Sequence, residues 1–265
     1  MSAQITFDKV AAAYDGFMGR WTRLYVPALL RAARLEPGQR VLDLATGTGE
    51  SALMAADALG PRGRLVGADL SLPMLRGALA KVGARPIRLA AMDGQALACR
   101  AEAFDAVICQ LGLMFFPDPL AGLREARRVL RPGGGFAAVV WSTADRVPWG
   151  GALAWALLER FPDRRDEILR GTSLGEPGRL ERLLGEAGFR DVGVTTETRS
   201  FVFDSFDAYW DQVASGGIRF GLMLRELAED ARRAVRDAVR ARLERFASRG
   251  GLEMPTDALV ASGKK

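Results

Sequence analysis

The chain predicts an α/β fold, a doubly wound and mostly parallel sheet with helical lid elements. Three observations predict it. Short apolar runs alternate with helical stretches between residues 41 and 141, the pattern of parallel strands covered on both faces. A glycine turn, Gly47-Thr48-Gly49, separates the first such run from the helix after it. An acid, Asp69, ends the second run 20 residues beyond Gly49.

Each element is justified in turn. Residues 4–34 read as helical, because Phe7, Val10, Tyr14, Phe17, Trp21 and Tyr25 recur at spacings of three and four. The Glu36-Pro37-Gly38 turn leads to a strand over Val41–Ala45, and a helix starts near Glu50. A second strand spans Leu65–Asp69 and a helix follows over Leu72–Val82. The third strand is Ile87–Ala91, ending at Asp93-Gly94, and the fourth is Phe104–Cys109. A helix over Leu120–Leu130 and the Pro132–Gly135 turn precede a fifth strand, Phe136–Trp141. Beyond Ser142 the pattern loosens. Helices are expected near 148–161 and 176–187, and a strand over Val192–Phe203. A long amphipathic helix is expected over Leu224–Phe246, with Glu229 and Arg233 paired four apart, then a short strand over Leu259–Ser262. The expected organisation is one domain, 1–265, with a helical cover over 1–34 and a binding core over 35–142. Acceptor-side helices and a lid follow over 143–250, and a closing strand over 251–265.

Composition narrows the chemistry. The chain has 265 residues, 49% hydrophobic and 26% charged, enough to bury one large core. It has no histidine, so it can hold no Ser-His-Asp triad, no imidazole base and no His-ligated zinc. Two cysteines, Cys99 and Cys109, make neither a disulfide framework nor a four-thiolate metal site, and no metal is expected. No membrane span or secretory leader is read, so a cytoplasmic protein is expected. The net charge is +5, and all but four of the 37 basic residues are arginines. Because acids are mixed among them, a nucleic-acid partner is not expected.

The glycine turn lets a ligand backbone approach closely, and the helix N-terminus behind it favours negative charge. With Asp69 placed to accept hydrogen bonds from ribose hydroxyls, turn and acid together point to a nucleoside site. A nicotinamide enzyme would present the same turn. Its usual Tyr-x-x-x-Lys pair is missing, since Met18, Leu29 and Val213 stand four residues after Tyr14, Tyr25 and Tyr209.

VLDLATGTGE, GADLSLPML, MDGQALA, FDAVICQLGLMFFPD and LREARRVLRPGGGFAAVVW occur here in order. In sequence and spacing they resemble the motifs of class I S-adenosylmethionine-dependent methyltransferases, a Rossmann-like family. The likeness is nearest to the branch holding the ubiquinone and menaquinone C-methyltransferases and many small-molecule methyltransferases. It covers residues 5–141 strongly and the rest loosely. The resemblance implies S-adenosylmethionine as cofactor. It puts Asp43 near the donor's amino group, with Ala45, Gly47, Thr48 and Gly49 around the methionine moiety. It puts Asp69 on the ribose, Leu70 and Met74 beside the adenine, and Asp93, Gly94 and Gln95 at the adenine edge. Gln110 and Leu111 come near the transferred methyl. Ala45 departs from the glycine common in the family, and Cys99 stands where a proline is frequent.

Methyl transfer from a sulfonium needs near-attack alignment more than a protein base, so a chain without histidine can perform it. Tyr14 is the one candidate named for a catalytic or pocket-closing role, against simple packing. For a small, hydrophobic acceptor the candidates are Tyr14, Met114, Phe115, Trp141, Trp210 and Phe220. Two readings stand for the late aromatic cluster: a lid over the acceptor, or ordinary core beneath a helical cap. Two other function classes also stand, an RNA methyltransferase or binder, and a donor-binding protein that transfers no methyl, such as a cyclisation catalyst. Monomer and homodimer are both open.

Overall fold

β1 (Arg40–Leu44), β2 (Arg64–Asp69), β3 (Ile87–Ala91), β4 (Phe104–Gln110) and β5 (Leu130–Trp141) run parallel, in the spatial order β3-β2-β1-β4-β5. The computed structural model describes residues 18–216 and 218–265. The apolar strand runs are covered on both faces, and Val41, Leu42, Val107 and Ile108 are inaccessible to solvent. Helices α1 (Val26–Ala33), α2 (Glu50–Leu59), α3 (Leu72–Val82) and α4 (Pro119–Val129) supply the cover. Their starts are locally encoded. Ser71 accepts the Met74 N–H at 3.3 Å, Asp118 accepts the Ala121 N–H at 3.0 Å, and prolines occupy the first turn of α1, α3 and α4.

The strand order reverses at β1, which has β2 on one side and β4 on the other. The loops leaving β1 and β4 therefore diverge, and a crevice opens at their carboxyl ends. This is the position the sequence predicts for a ligand.

The second half of the chain builds over that edge. Helices α5 (Pro148–Leu158), α6 (Arg165–Leu169) and α7 (Arg179–Glu186) lead to β6 (Arg190–Phe203). Helices α8 (Phe206–Gly216), α9 (Ile218–Glu226) and α10 (Glu229–Leu243) precede β7 (Ala247–Ser248) and β8 (Gly251–Lys264). β8 lies antiparallel between β5 and β6. Its pairing with β5 stops at Trp141↔Ala258, while that with β6 continues to Phe203↔Leu252. The β6–β8 ribbon thus projects past the carboxyl end of β5.

The ribbon anchors the segment before α1, which comprises an α-turn at Arg20–Thr22 and a 3-10 turn at Arg23–Tyr25. Trp21 stacks on Phe201 with ring centroids 4.6 Å apart, and Tyr25 Oη donates to the Thr256 carbonyl at 2.7 Å. Trp141 meets Tyr25 edge-on at 5.4 Å and Trp149 at 5.8 Å. Each such buried ring contributes about 1.5–3 kcal/mol or more.

The elements differ from expectation at four places. The expected 4–34 helix is continuous in its described part but tightens to a 3-10 turn over Arg23–Tyr25 before α1, where Tyr25 donates to Thr256 and Pro27 lacks a donor. Phe7, Val10, Tyr14 and Phe17 lie outside the described residues. The expected 224–246 helix is α9 and α10, parted by Ala228 in extended backbone. Glu229 and Asp230 then sit in the first turn of α10, where the helix dipole favours acids. β5 begins at Leu130, because Leu130 pairs with Phe104 and the Pro132-Gly133-Gly134 stretch loops out before Gly135 pairs with Ala106. The last strand, β8, extends well beyond Leu259–Ser262 and spans Gly251–Lys264, the segment expected to close the chain. Arginines of α10 are tied down within the molecule, Arg236 and Arg240 to Asp207 at 2.8 Å and Arg242 to Glu159.

Candidate functional site

The loop after β1 is organised by Asp43. Its carboxylate is fully buried, and its Oδ2 accepts from Thr46 Oγ at 2.6 Å and Ser51 Oγ at 2.8 Å. Its Oδ1 has no hydrogen-bond partner among the described residues. Burial pushes the carboxyl up to about 7, against the pull of the two hydroxyls, and the nearby Asp69 adds to the rise. Ala45 takes a positive φ of 56°, so the chain reverses without glycine there. Its methyl group occupies the space next to Gly112, where a Cβ would come within 2.4 Å of the Ala45 Cβ.

Asp69 ties the turn to the end of β2. Its Oδ2 accepts the Gly47 N–H at 2.8 Å and its Oδ1 the Ser71 N–H at 2.9 Å. After β3, Asp93 accepts the Gln95 N–H at 2.9 Å, and Gln95 Oε1 accepts the Asp118 N–H at 2.7 Å. At the end of β4, Gln110 Nε2 donates to the Thr22 carbonyl at 3.0 Å. Since a carbonyl only accepts, the amide orientation is fixed, and Oε1 is left buried with no partner among the described residues.

These loops enclose one cleft of about 220 Å³. From the β1 loop it is lined by Leu44, Ala45, Thr46, Gly47, Thr48, Glu50 and Ser51. Asp69, Leu70 and Met74 follow β2, and Met92, Asp93, Gly94 and Gln95 follow β3. Gln110, Leu111, Gly112, Phe115, Phe116 and Pro117 follow β4, and Thr22 and Arg170 close it from outside the sheet. Glu50 is neutralised by Arg23 at 3.2 Å and Lys81 at 3.0 Å.

Most residues named from sequence for the cofactor share this cleft: Ala45, Gly47, Thr48, Asp69, Leu70, Met74, Asp93, Gly94, Gln95, Gln110 and Leu111. Asp43 and Gly49 lie behind its wall. Of the described acceptor candidates only Phe115 lines it. Met114 is buried beneath, and Trp141 is locked among Tyr25, Trp149 and Phe201. Trp210 is buried and stacked on Phe206 at 6.3 Å. Phe220 is half-buried against the same core. Trp141 and Trp210 find aromatic neighbours in Phe201 of the ribbon and Phe206 of α8, packing of the kind the core reading expects. Tyr14 is outside the described residues.

Sequence reasoning missed Thr22, Leu44, Thr46, Glu50, Ser51, Met92, Gly112, Pro117 and Arg170. Thr46 and Ser51 were findable as hydroxyls three and eight residues after Asp43. Arg170 gave no local signal.

Among the described residues, no cysteine, tyrosine or lysine lines the cleft. Burial pushes the Cys109 thiol up to about 12, and desolvation raises the Tyr25 and Tyr209 hydroxyls beyond the ordinary phenol range. Among the described residues no group of acids and cysteines could hold a metal ion. What the described residues do offer is a buried, unpartnered acceptor on the cleft lining, Gln110 Oε1, and a second, Asp43 Oδ1, behind the β1 loop, next to a glycine turn and two acids at strand ends. That set fits a nucleoside bearing a cationic donor group.

Comparison with known proteins agrees. The methyltransferase domain family matches residues 41–134. Nocamycin O-methyltransferase of Saccharothrix syringae is 29% identical over 249 residues, 87% of this chain and 86% of that one. Demethylmenaquinone methyltransferase of Corynebacterium kroppenstedtii is 36% identical over 205 residues, 71% of this chain and 85% of that one. Phosphoethanolamine N-methyltransferase 2 of Haemonchus contortus, solved with phosphomonomethylethanolamine and S-adenosylhomocysteine, matches the fold with a TM-score of 0.62 at 19% identity. That match covers 97% of this chain and 57% of the other.

Proposed function

The chain belongs to the class I S-adenosylmethionine-dependent methyltransferases, and from that premise we propose that it methylates a small, hydrophobic acceptor bound beside the end of β4. The observation that carries the proposal is the apolar wall formed by Leu111, Phe115, Phe116 and Pro117 next to Gln110. Two relatives support it by their names, nocamycin O-methyltransferase and demethylmenaquinone methyltransferase, each of which specifies a small-molecule acceptor.

Bound in the cleft, the cofactor supplies an electrophilic methyl on sulfur, open to in-line displacement. Asp43 Oδ1 and Gln110 Oε1 receive the amino group of its methionine moiety, the two buried acceptors that otherwise go without donors. The Asp69 carboxylate holds the ribose hydroxyls while fixing the Gly47 turn. Asp93, Gly94 and Gln95 bound the adenine edge, with Leu70 and Met74 on its face. The apolar wall excludes water and aligns the acceptor, which is the larger part of catalysis where no base takes a proton.

The test uses donor labelled in the methyl group, added with the purified protein to a small-molecule extract and, separately, to total RNA. Label is expected in an organic-extractable product. Label recovered in RNA, or none transferred while donor binds, overturns the proposal.

A further inference from the structure

We infer that Arg170 is a specificity-determining residue that selects acceptors carrying an ionised oxygen group, a carboxylate or an enolate, on an apolar body. The inference rests on reading the cleft as the methyl-transfer site.

Among the described residues lining the cleft, Arg170 is the one cationic side chain. No side-chain hydrogen bond or ion pair engages it within the described chain. The acids of the cleft are otherwise occupied. Glu50 is held between Arg23 and Lys81, Asp69 takes the backbone N–H groups of Gly47 and Ser71, and Asp93 takes that of Gln95. Two arginines nearby in sequence are engaged within the chain. Arg164 bridges Glu167 and Glu226, and Arg179 donates to the Ser173 carbonyl at 2.7 Å. Arg170 lines the cleft, and among the described residues no carboxylate pairs with it.

Its place is fixed. The 3-10 turn Arg170–Thr172 packs on the turn Leu113–Phe115 after β4. Ile168, Gly171 and Leu174 on either side are buried. Gly175 runs directly against the backbone of Ser142, where a Cβ would come within 2.3 Å. Arg170 is thereby held where the cleft meets the Leu113–Phe115 turn, which is the acceptor's side. A half-buried guanidinium beside aromatic rings binds an oxyanion through paired N–H donors and discriminates strongly against the uncharged isostere.

The test is titration calorimetry on the full chain saturated with S-adenosylhomocysteine. Two matched pairs serve as probes: 1-naphthoate with 1-naphthamide, and 4-hydroxycoumarin with coumarin. The first pair reports a carboxylate and the second an enolate. Wild type is expected to bind at least one acid about tenfold or more tighter than its neutral partner. Arg170→Gln should erase that preference and Arg170→Lys retain part of it, with S-adenosylhomocysteine affinity within about twofold of wild type in both. Equal binding within both pairs, or no binding by either acid, overturns the inference. So does an Arg170→Gln loss confined to S-adenosylhomocysteine, which would make Arg170 a contact of the donor's carboxylate. Failure of wild type to bind S-adenosylhomocysteine at all is a different result, and it overturns the methyltransferase site itself.

Discussion

Asn in place of Asp43 should stabilise the free protein at neutral pH and weaken cofactor binding, two effects of opposite sign from one atom. Asp43 is fully buried and one of its oxygens has no donor among the described residues. Moving a carboxyl from 3.8 to about 7 corresponds to about 4 kcal/mol against its charged form. The sign follows from linkage. Because the folded-state value is raised, the relative stabilisation is complete below about pH 4, falls as pH rises, and is gone above about pH 7. Asn carries no charge to bury but leaves an amide N–H group unpaired, at about 1–3 kcal/mol, so the net gain above pH 7 is about 1–3 kcal/mol. In a chain of this size that is a rise in Tm of about 3–8 °C at pH near 8, turning into a fall of similar size near pH 4, where wild-type Asp43 is uncharged and only the unpaired amide N–H of the variant counts. In the complex the balance inverts. The ammonium of the cofactor loses a charge-assisted hydrogen bond worth about 1.5–3 kcal/mol, a weakening of roughly 10- to 150-fold. Thermal melts across pH and calorimetric titration with S-adenosylhomocysteine read both quantities. A Tm difference that does not grow between pH 4 and about 7, or an Asp43→Asn variant that binds the nucleoside as tightly as wild type, would refute the reasoning.

The same carboxyl predicts proton release. A bound ammonium favours the charged form, so titration with S-adenosylhomocysteine near pH 6.5 should show buffer-dependent heats from up to about one proton released, lost in Asp43→Asn. Gly112→Ala should cost about 1–3 kcal/mol in thermal stability and weaken cofactor binding, because its methyl meets that of Ala45; the double change with Ala45→Gly should recover most of both. Trp210→Ala should lower stability by about 3–5 kcal/mol with cofactor affinity within about twofold, as measured by denaturant unfolding and calorimetry.

The cofactor side was legible because its parts are local in sequence. Each of Asp43, Asp69, Asp93 and Gln110 stands at or just beyond the end of a short apolar strand, and a parallel sheet brings such ends to one edge whatever the intervening lengths. The acceptor side was not. Aromatic residues carry the same signal whether they line a cavity or fill a core. Trp141 packs on Phe201 through the β6–β8 pairing and Trp210 on Phe206, contacts that no local pattern encodes. That pairing was itself hidden. Pro255, Thr256 and Asp257 interrupt the apolar run of β8, and Pro255 is tolerated because β5 has already ended there. The break at Ala228 was masked by a three-four spacing that runs through Leu224, Leu227 and Ala231 without a kink. Arg170 reaches the cleft by tertiary packing of a short turn, with no motif around it.

The central claim is that this strand-end cleft holds S-adenosylmethionine through its acids. Calorimetric titration of wild type and Asp69→Ala with S-adenosylmethionine, S-adenosylhomocysteine and NAD tests it most directly. Both sulfur nucleosides should bind wild type in the micromolar range and NAD should not. Asp69→Ala should weaken both by about tenfold or more, since it loses the ribose contact and the anchor of the Gly47 turn. Binding of NAD in their place, or sulfur-nucleoside binding untouched by Asp69→Ala, would contradict the account.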